Sequence, residues 1–162
     1  MKLNLKTVKI KKPKDMNVII GQAHFIKTVE DIYEVLVGSM PLIKFGIAFC
    51  EASGKCLVRT EGNAQELIKI SAENALLLGC GHLFFITIDK AYPINVLNQI
   101  KNVPEVCRVF CATANPIEAI VTETEQGKAF LGVVDGFSPA GLESENDKKE
   151  RQDLLRNIGY KL

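Results

Sequence analysis

One strand-like run stops abruptly two-thirds of the way along this chain, and the stop constrains everything around it. Val106-Cys-Arg-Val-Phe-Cys111 reads as a buried strand, and Ala-Thr-Ala-Asn115 follows with small polar groups. Pro116 then prevents the strand from continuing, and the Asn-Pro pair marks a turn. Ile117 opens another apolar strand. In open α/β sheets, strand ends of this kind face the ligand crevice, which makes Thr113 and Asn115 candidate binding residues. An isolated Asn-Pro is more often a plain turn satisfied by its own Asx hydrogen bond. Similar polar turns recur elsewhere in the chain, and their recurrence points to a ligand.

Those turns separate short apolar runs. Residues 3 to 10 alternate as a strand, with lysines on the open face, and Asn17-Val-Ile-Ile20 is a second strand running into the glycine-led loop Gly21-Gln-Ala-His-Phe25. Thr28 is placed as an N-cap, and Val29, Ile32, Tyr33 and Leu36 form one face of a helix that stops near Gly38. His24 thus precedes a helix N-terminus, where the backbone field favours anions.

Phe45 to Cys50 is a central strand, and Cys56 to Arg59 returns as its hairpin partner across Glu51-Ala-Ser-Gly-Lys55. Asn63 is placed as the N-cap of a helix whose buried side is Leu67, Ile68, Ala72, Ala75, Leu76 and Leu78. Gly79-Cys-Gly81 ends that helix, and His82 opens the strand Leu83 to Ile88. Pro93 starts a helix carrying Asn95 and Asn98. A second hairpin joins Ile117–Glu123 to Phe130–Val134 and ends in the loop Asp135 to Gly141, which includes Ser138. The tail, Ser144 to Asn157, is a charged helix with a thin apolar side at Leu154, Leu155 and Ile158.

Hairpins mixed with helical crossovers predict an α/β fold: a mixed β-sheet with helices packed on it, in αβα-type layers. With 162 residues and no linker or repeat, residues 1–162 read as a single domain. A net charge of +1 supplies no electrostatic case for nucleic acid or a membrane surface. No run approaches the about 20 apolar residues of a membrane span, and the N-terminus lacks a signal-peptide core. The odd count of 5 cysteines, mostly within apolar runs, suits reduced buried thiols in a cytoplasmic protein.

Familiar catalytic signatures are missing. C-x-x-C, H-x-x-x-H and H-E-x-x-H do not occur, so no metal site is expected. The chain has no G-x-S-x-G elbow, no Walker A loop and no full G-x-G-x-x-G. What remains is a set of polar turns: Gly21 to His24, Glu51 to Gly54 with Ser53, Gly62-Asn63, Gly79 to His82, Thr113 to Asn115, and Asp135 to Ser138. Glycines, amides and hydroxyls of this sort suit a small ligand carrying phosphate or hydroxyl groups.

The strings Gly21-Gln-Ala-His-Phe25, Phe45 to Gly54, Gly81-His82, Tyr92 to Asn98, Phe110 to Pro116 and Gly132 to Gly136 together resemble the adenosine-specific kinase family of small, mostly prokaryotic proteins. The resemblance runs from about Val8 to Lys161. It implies a site for adenosine or an adenine nucleotide, ATP as phosphate donor with Mg²⁺, a histidine that carries the phosphoryl group, and a homo-oligomer. A phosphohistidine needs one free imidazole nitrogen and donors around the phosphoryl oxygens. His24 is the favoured acceptor, with His82 the alternative. Glu51 and Asp135 would hold Mg²⁺ or steer the nucleophile. Ser53, Thr113 and Asn115 would contact ribose or adenine, with Asn95 and Asn98 supporting the same pocket.

Three rival readings stand beside this one. A non-catalytic adenosine or AMP sensor would need the nucleoside site alone. A thiol enzyme would pair Cys50 or Cys111 with a histidine. A structural oligomer would use the polar turns only as turns.

Overall fold

The structure is a computed structural model and describes residues 4–162. Leu3, the first residue of the expected N-terminal strand, lies outside that range. The described chain runs β1 (Asn4–Lys9), β2 (Asn17–Ala23), α1 (Thr28–Ser39), β3 (Lys44–Cys50), β4 (Val58–Gly62), α2 (Gln65–Leu78), β5 (Leu83–Asp89), α3 (Pro93–Lys101), β6 (Val106–Thr113), β7 (Ile117–Glu123), β8 (Lys128–Asp135) and α4 (Glu145–Asn157).

The strands form a 5-stranded sheet, order β4-β3-β5-β2-β6, and a 3-stranded sheet, order β1-β7-β8. Every ladder is antiparallel. The expected layered α/β arrangement follows from how the helices cross. β2 and β3 are each antiparallel to β5, which lies between them, so α1 joins two parallel strands across one intervening strand. α2 joins β4 to β5 across β3, and α3 joins β5 to β6 across β2, by the same rule. A helical crossover needs parallel ends, and this weave supplies them inside an antiparallel sheet.

β5 sits in the middle and is buried on both faces. Phe84, Ile86 and Ile88 pack with Ile32 and Leu36 of α1 and Val96 and Ile100 of α3. Leu83 and Phe85 face the other way, toward Ala75 and Leu78 of α2 and Ile117, Ala119 and Val121 of the small sheet. The continuous apolar run that makes β5 legible in the sequence is thus a strand between two cores. β6 departs from simple alternation. Register shifts against β2 place Phe110 and Cys111 together against the second core.

Several local expectations are corrected. Gly21 to Ala23 belong to β2, so the glycine-led loop begins only at His24. A Cβ on Gly21 would meet the Phe84 ring at 2.1 Å, so packing explains that glycine. The N-cap of α1 is Lys27, while Thr28 is buried and its hydroxyl donates to the Phe25 carbonyl at 2.5 Å. α1 continues through Gly38 to Ser39. The N-cap of α2 is Ala64 rather than Asn63. Leu76 is exposed, and two polar residues, Ser71 and Asn74, take buried positions on α2. Ser71 donates to the Gly46 carbonyl and pairs with Thr87 at 2.9 Å. Asn74 grips both backbone groups of Lys11, which docks the β1–β2 link on α2. α2 comes so close to β3 that a Cβ on Gly46 would lie 2.2 Å from its backbone.

Candidate functional site

The register divides the sequence-derived candidates between two ends of the large sheet. β2 spans Asn17 to Ala23, six steps of about 3.3 Å, so the ends are about 20 Å apart. At one end β2 and β3 finish and β4, β5 and β6 begin. His24, His82, Glu51, Ser53, Gly79 and Gly81 gather there. At the other end lie Asn63, Asn95, Thr113, Asn115 and Asp135.

At the histidine end, the Ala23 N–H donates to the His82 carbonyl at 3.0 Å, and the next residue, His24, donates its N–H to the Glu105 carbonyl at 3.0 Å. The two histidines are therefore carried by adjacent strands. His24 is exposed, with its ring stacked on Phe25. His82 is half-buried and stacks on Phe49, centroids 5.8 Å apart. Its φ of 62° lies in the left-handed region, unusual for a residue with a side chain. The bond from its N–H to the Cys50 carbonyl at 2.7 Å helps hold it there. Strain of this kind is retained where surrounding contacts over-determine it.

Glu51 directly follows β3, with both oxygens engaged. Arg59 donates to one at 2.7 Å and the Leu57 N–H to the other at 2.9 Å. Arg59, then Leu57, holds the carboxyl below the usual carboxylate range. Arg59 keeps its Nε buried without a partner. The expected anion-favouring start of α1 is already supplied with charge: Lys27 pairs with Asp31 and, at 2.7 Å, with Glu105. Lys27 keeps the Glu105 carboxyl below its ordinary range, and the other Glu105 oxygen is buried without a partner.

A cleft of about 660 Å³ opens at the same end, between the β3–β4 loop, the C-terminus of α2 and the β7–β8 turn. Glu51, Gly79 and Gly81 line it, along with Cys56, Gln126 and Lys128. A second cavity of about 210 Å³ adjoins it through Gly81, Lys128 and Ala129 and reaches Gln22. Gly79 is the left-handed C-cap of α2, and a Cβ on Gly81 would stand 3.0 Å from that of Ala52. Neither histidine lines the cleft, but His82 directly follows Gly81. Ser53 lies in the exposed β3–β4 loop, where its carbonyl accepts from the Cys56 N–H.

The candidates at the other end are occupied with one another. Asp135 Oδ1 accepts from Thr113 Oγ1 at 2.8 Å and from Asn115 Nδ2 at 3.0 Å, and the Asn115 N–H donates to Thr113 Oγ1 at 3.0 Å. Asn63 donates to the Ile43 carbonyl at 2.8 Å and accepts from the Phe45 N–H at 3.0 Å. Asn95 accepts from the Tyr92 N–H at 2.9 Å at the start of α3. Asn98 is exposed on α3, and Ser138 is exposed beyond β8. The structure does not bring these groups to the histidines.

Burial pushes the Cys50 and Cys111 thiols up to about 12, leaving little thiolate near neutrality. Cys80 is also buried, whereas Cys56 and Cys107 are exposed. Among the described residues no cluster of three or more His, Cys, Asp or Glu could hold a metal ion, and no helix is long and apolar enough to cross a membrane. Sequence reasoning missed Arg59, Glu105 and Lys128. Arg59 carried a weak signal, a cation inside an apolar hairpin strand. Lys128 carried none, because its neighbours come from α2 and the Gly79 turn.

The crystal structure of the PH1918 protein from Pyrococcus horikoshii OT3 matches with a TM-score of 0.95 and 46% identity, covering 99% of each chain. No curated protein sequence matches. The model of the family described as adenosine specific kinase matches residues 8–161, essentially the whole chain, and the chain belongs to that family.

Proposed function

We propose that this protein binds adenosine and transfers a phosphoryl group to it from ATP, by way of a phosphohistidine at the histidine end of the large sheet. The observation that carries the reading is the placement of both histidines on adjacent strand ends, beside a cleft of nucleotide size that reaches Gly81. We place the acceptor at His82 rather than His24. His82 holds a strained backbone conformation against Cys50 and Phe49, whereas His24 is exposed and stacks on its chain neighbour Phe25.

In the first step an imidazole nitrogen lone pair of His82 attacks the γ-phosphorus, and the bond to the β–γ bridging oxygen breaks with release of ADP. In the second step the adenosine hydroxyl attacks phosphorus, the N–P bond breaks, and the hydroxyl proton leaves to solvent. The product is AMP. Mg²⁺ would be carried on the ATP phosphates and would neutralise charge there. Arg59, oriented by Glu51, keeps a buried Nε without a protein partner at the same end of the sheet and is the donor we assign to the phosphoryl oxygens.

Self-association is part of the same proposal. No side chain of α4 is buried, and Phe137, Leu142, Leu154 and Ile158 are exposed along the C-terminal arm. A second copy of the chain would cover them.

One observation favours a second reading. Glu51 and Asp135, the carboxylates available as bases, already accept protein hydrogen bonds, which suits an adenosine sensor without turnover. Incubation with γ-labelled ATP and Mg²⁺, with and without adenosine, separates the two. Label accumulating in AMP over many turnovers, with acid-labile label on the protein, supports the kinase. Label that stays on ATP while adenosine raises the melting temperature supports the sensor.

A further inference from the structure

The cleft beside Gly81 carries a charge imbalance that adenosine, a neutral molecule, would leave unused. Two ionisable groups of opposite sign line it, Glu51 and Lys128. Glu51 is neutralised by Arg59 and the Leu57 N–H, and Lys55 adds a further positive charge nearby. Lys128 forms no ion pair among the described residues. Glu123, a carboxylate whose charge Lys128 favours, is paired with Lys6 at 2.6 Å. The Lys128 side chain lies across the Gly79 turn, where a Cβ on that glycine would stand 3.5 Å from Nζ, and both cavities include it. A surplus cation, small-residue walls at Gly79 and Gly81, and a volume suited to a nucleotide together define a site for a polyanion.

We propose that this cleft binds the polyphosphate of a nucleoside triphosphate, with Lys128 as the residue that holds it. The inference rests on the kinase reading, which supplies the triphosphate, and it separates donor from acceptor. The cleft lies on the α2–β8 side of Gly81, the residue that directly precedes His82. Lys128 also has a structural use. α2 has no basic residue in its last turn, and Nζ lies close enough to complement that helix end. The experiment must therefore distinguish ligand binding from helix support.

Mg·ATP and adenosine are titrated separately by calorimetry into the wild-type protein, K128M and K128R. The expected result is a loss of ATP affinity of about tenfold or more in K128M, partial recovery in K128R, and adenosine affinity changed less than about twofold. If K128M melts earlier but binds ATP like wild type, Lys128 only supports α2 and the proposal is overturned. Absence of ATP binding by the wild-type protein overturns it too. A measurement without substitution gives a second test. Cys56 lines the cleft and is exposed, while Cys107 is exposed and lines neither cavity. Mg·ATP should slow alkylation of Cys56 and leave Cys107 unchanged; equal rates at Cys56 with and without ATP count against the site. The kinase reading fails separately. Lys128-dependent ATP binding without phosphoryl transfer leaves the site standing, whereas full transfer at unchanged ATP affinity in K128M leaves the kinase standing and removes the site.

Discussion

The two ends of the large sheet are built from similar residue types and differ in how far those residues satisfy one another. At the asparagine end, Asp135, Thr113 and Asn115 form a closed set of hydrogen bonds, Asn63 links the start of β3 to the start of α2, and Asn95 steadies the start of α3. Lys90 has φ of 58° there, and its N–H donates to Asp89. At the histidine end, His82 and Cys56 both have positive φ, Arg59 Nε and Glu105 Oε2 lack partners, and two cavities meet at Gly81. Buried polar groups are normally satisfied, so orphans and strain gathered at one end point to that end as the place where something binds. Polar residues in turns are thus poor evidence of a site until their partners are known.

The sharpest way to break this contrast is a pair of substitutions. H82Q should reduce acid-labile label on the protein by about three orders of magnitude or more, the scale of losing a nucleophile, while D135N retains label uptake. Equal labelling of H82Q and wild type would move the acceptor elsewhere, with H24Q the next variant to assay.

The second effect concerns two buried thiols, Cys50 at the histidine end and Cys111 within β6. The Cys50 and Cys111 thiols rise from 9.0 to about 12 in the folded protein. Above pH 9 the unfolded chain loses these protons and the folded chain keeps them. Stability should therefore fall with pH between about 9 and 12, by up to about 1.4 kcal/mol per pH unit for each thiol. Denaturant titrations of wild type and C111A across that range should show a shallower fall in the variant. A parallel pair of curves would remove the thiols as the cause.

D135A should expose the asparagine end as structural. It leaves the buried Thr113 hydroxyl and the Asn115 amide without their acceptor, a loss of about 1–3 kcal/mol, seen as a melting temperature lower by several degrees. Adenosine affinity should be unchanged. A loss of adenosine binding at wild-type stability would instead place a ligand at that end.

The smallest effect expected is that of N95A, which removes one bond to the Tyr92 N–H. It should cost about 0.5–1 kcal/mol in thermal melts and leave phosphoryl transfer intact.

Much of the architecture was legible in the residues because it depends on short-range patterning. The continuous apolar run of β5, the hairpin tip around Ser53-Gly54, Pro93 at the start of α3 and Gly79 at the end of α2 each carry their own signal. Expectations failed where a residue's environment comes from distant chain. Gly21 reads as a loop glycine until the Phe84 ring is placed against it. Asn74 and Ser71 look like solvent-facing helix residues until Lys11 and Thr87 arrive to satisfy them.

Local periodicity and turn chemistry were enough to specify an α/β fold and to set both histidines in polar turns, since each depends on neighbours a few positions away. The ordered motifs were enough to indicate the family. The order of strands decided the rest. It set the about 20 Å between the histidines and the Thr113–Asn115–Asp135 cluster, and it brought Lys128 to the Gly79 turn and Arg59 to Glu51. Those pairings rest on long-range register and on which buried polar groups find partners, and no window of sequence contains both members.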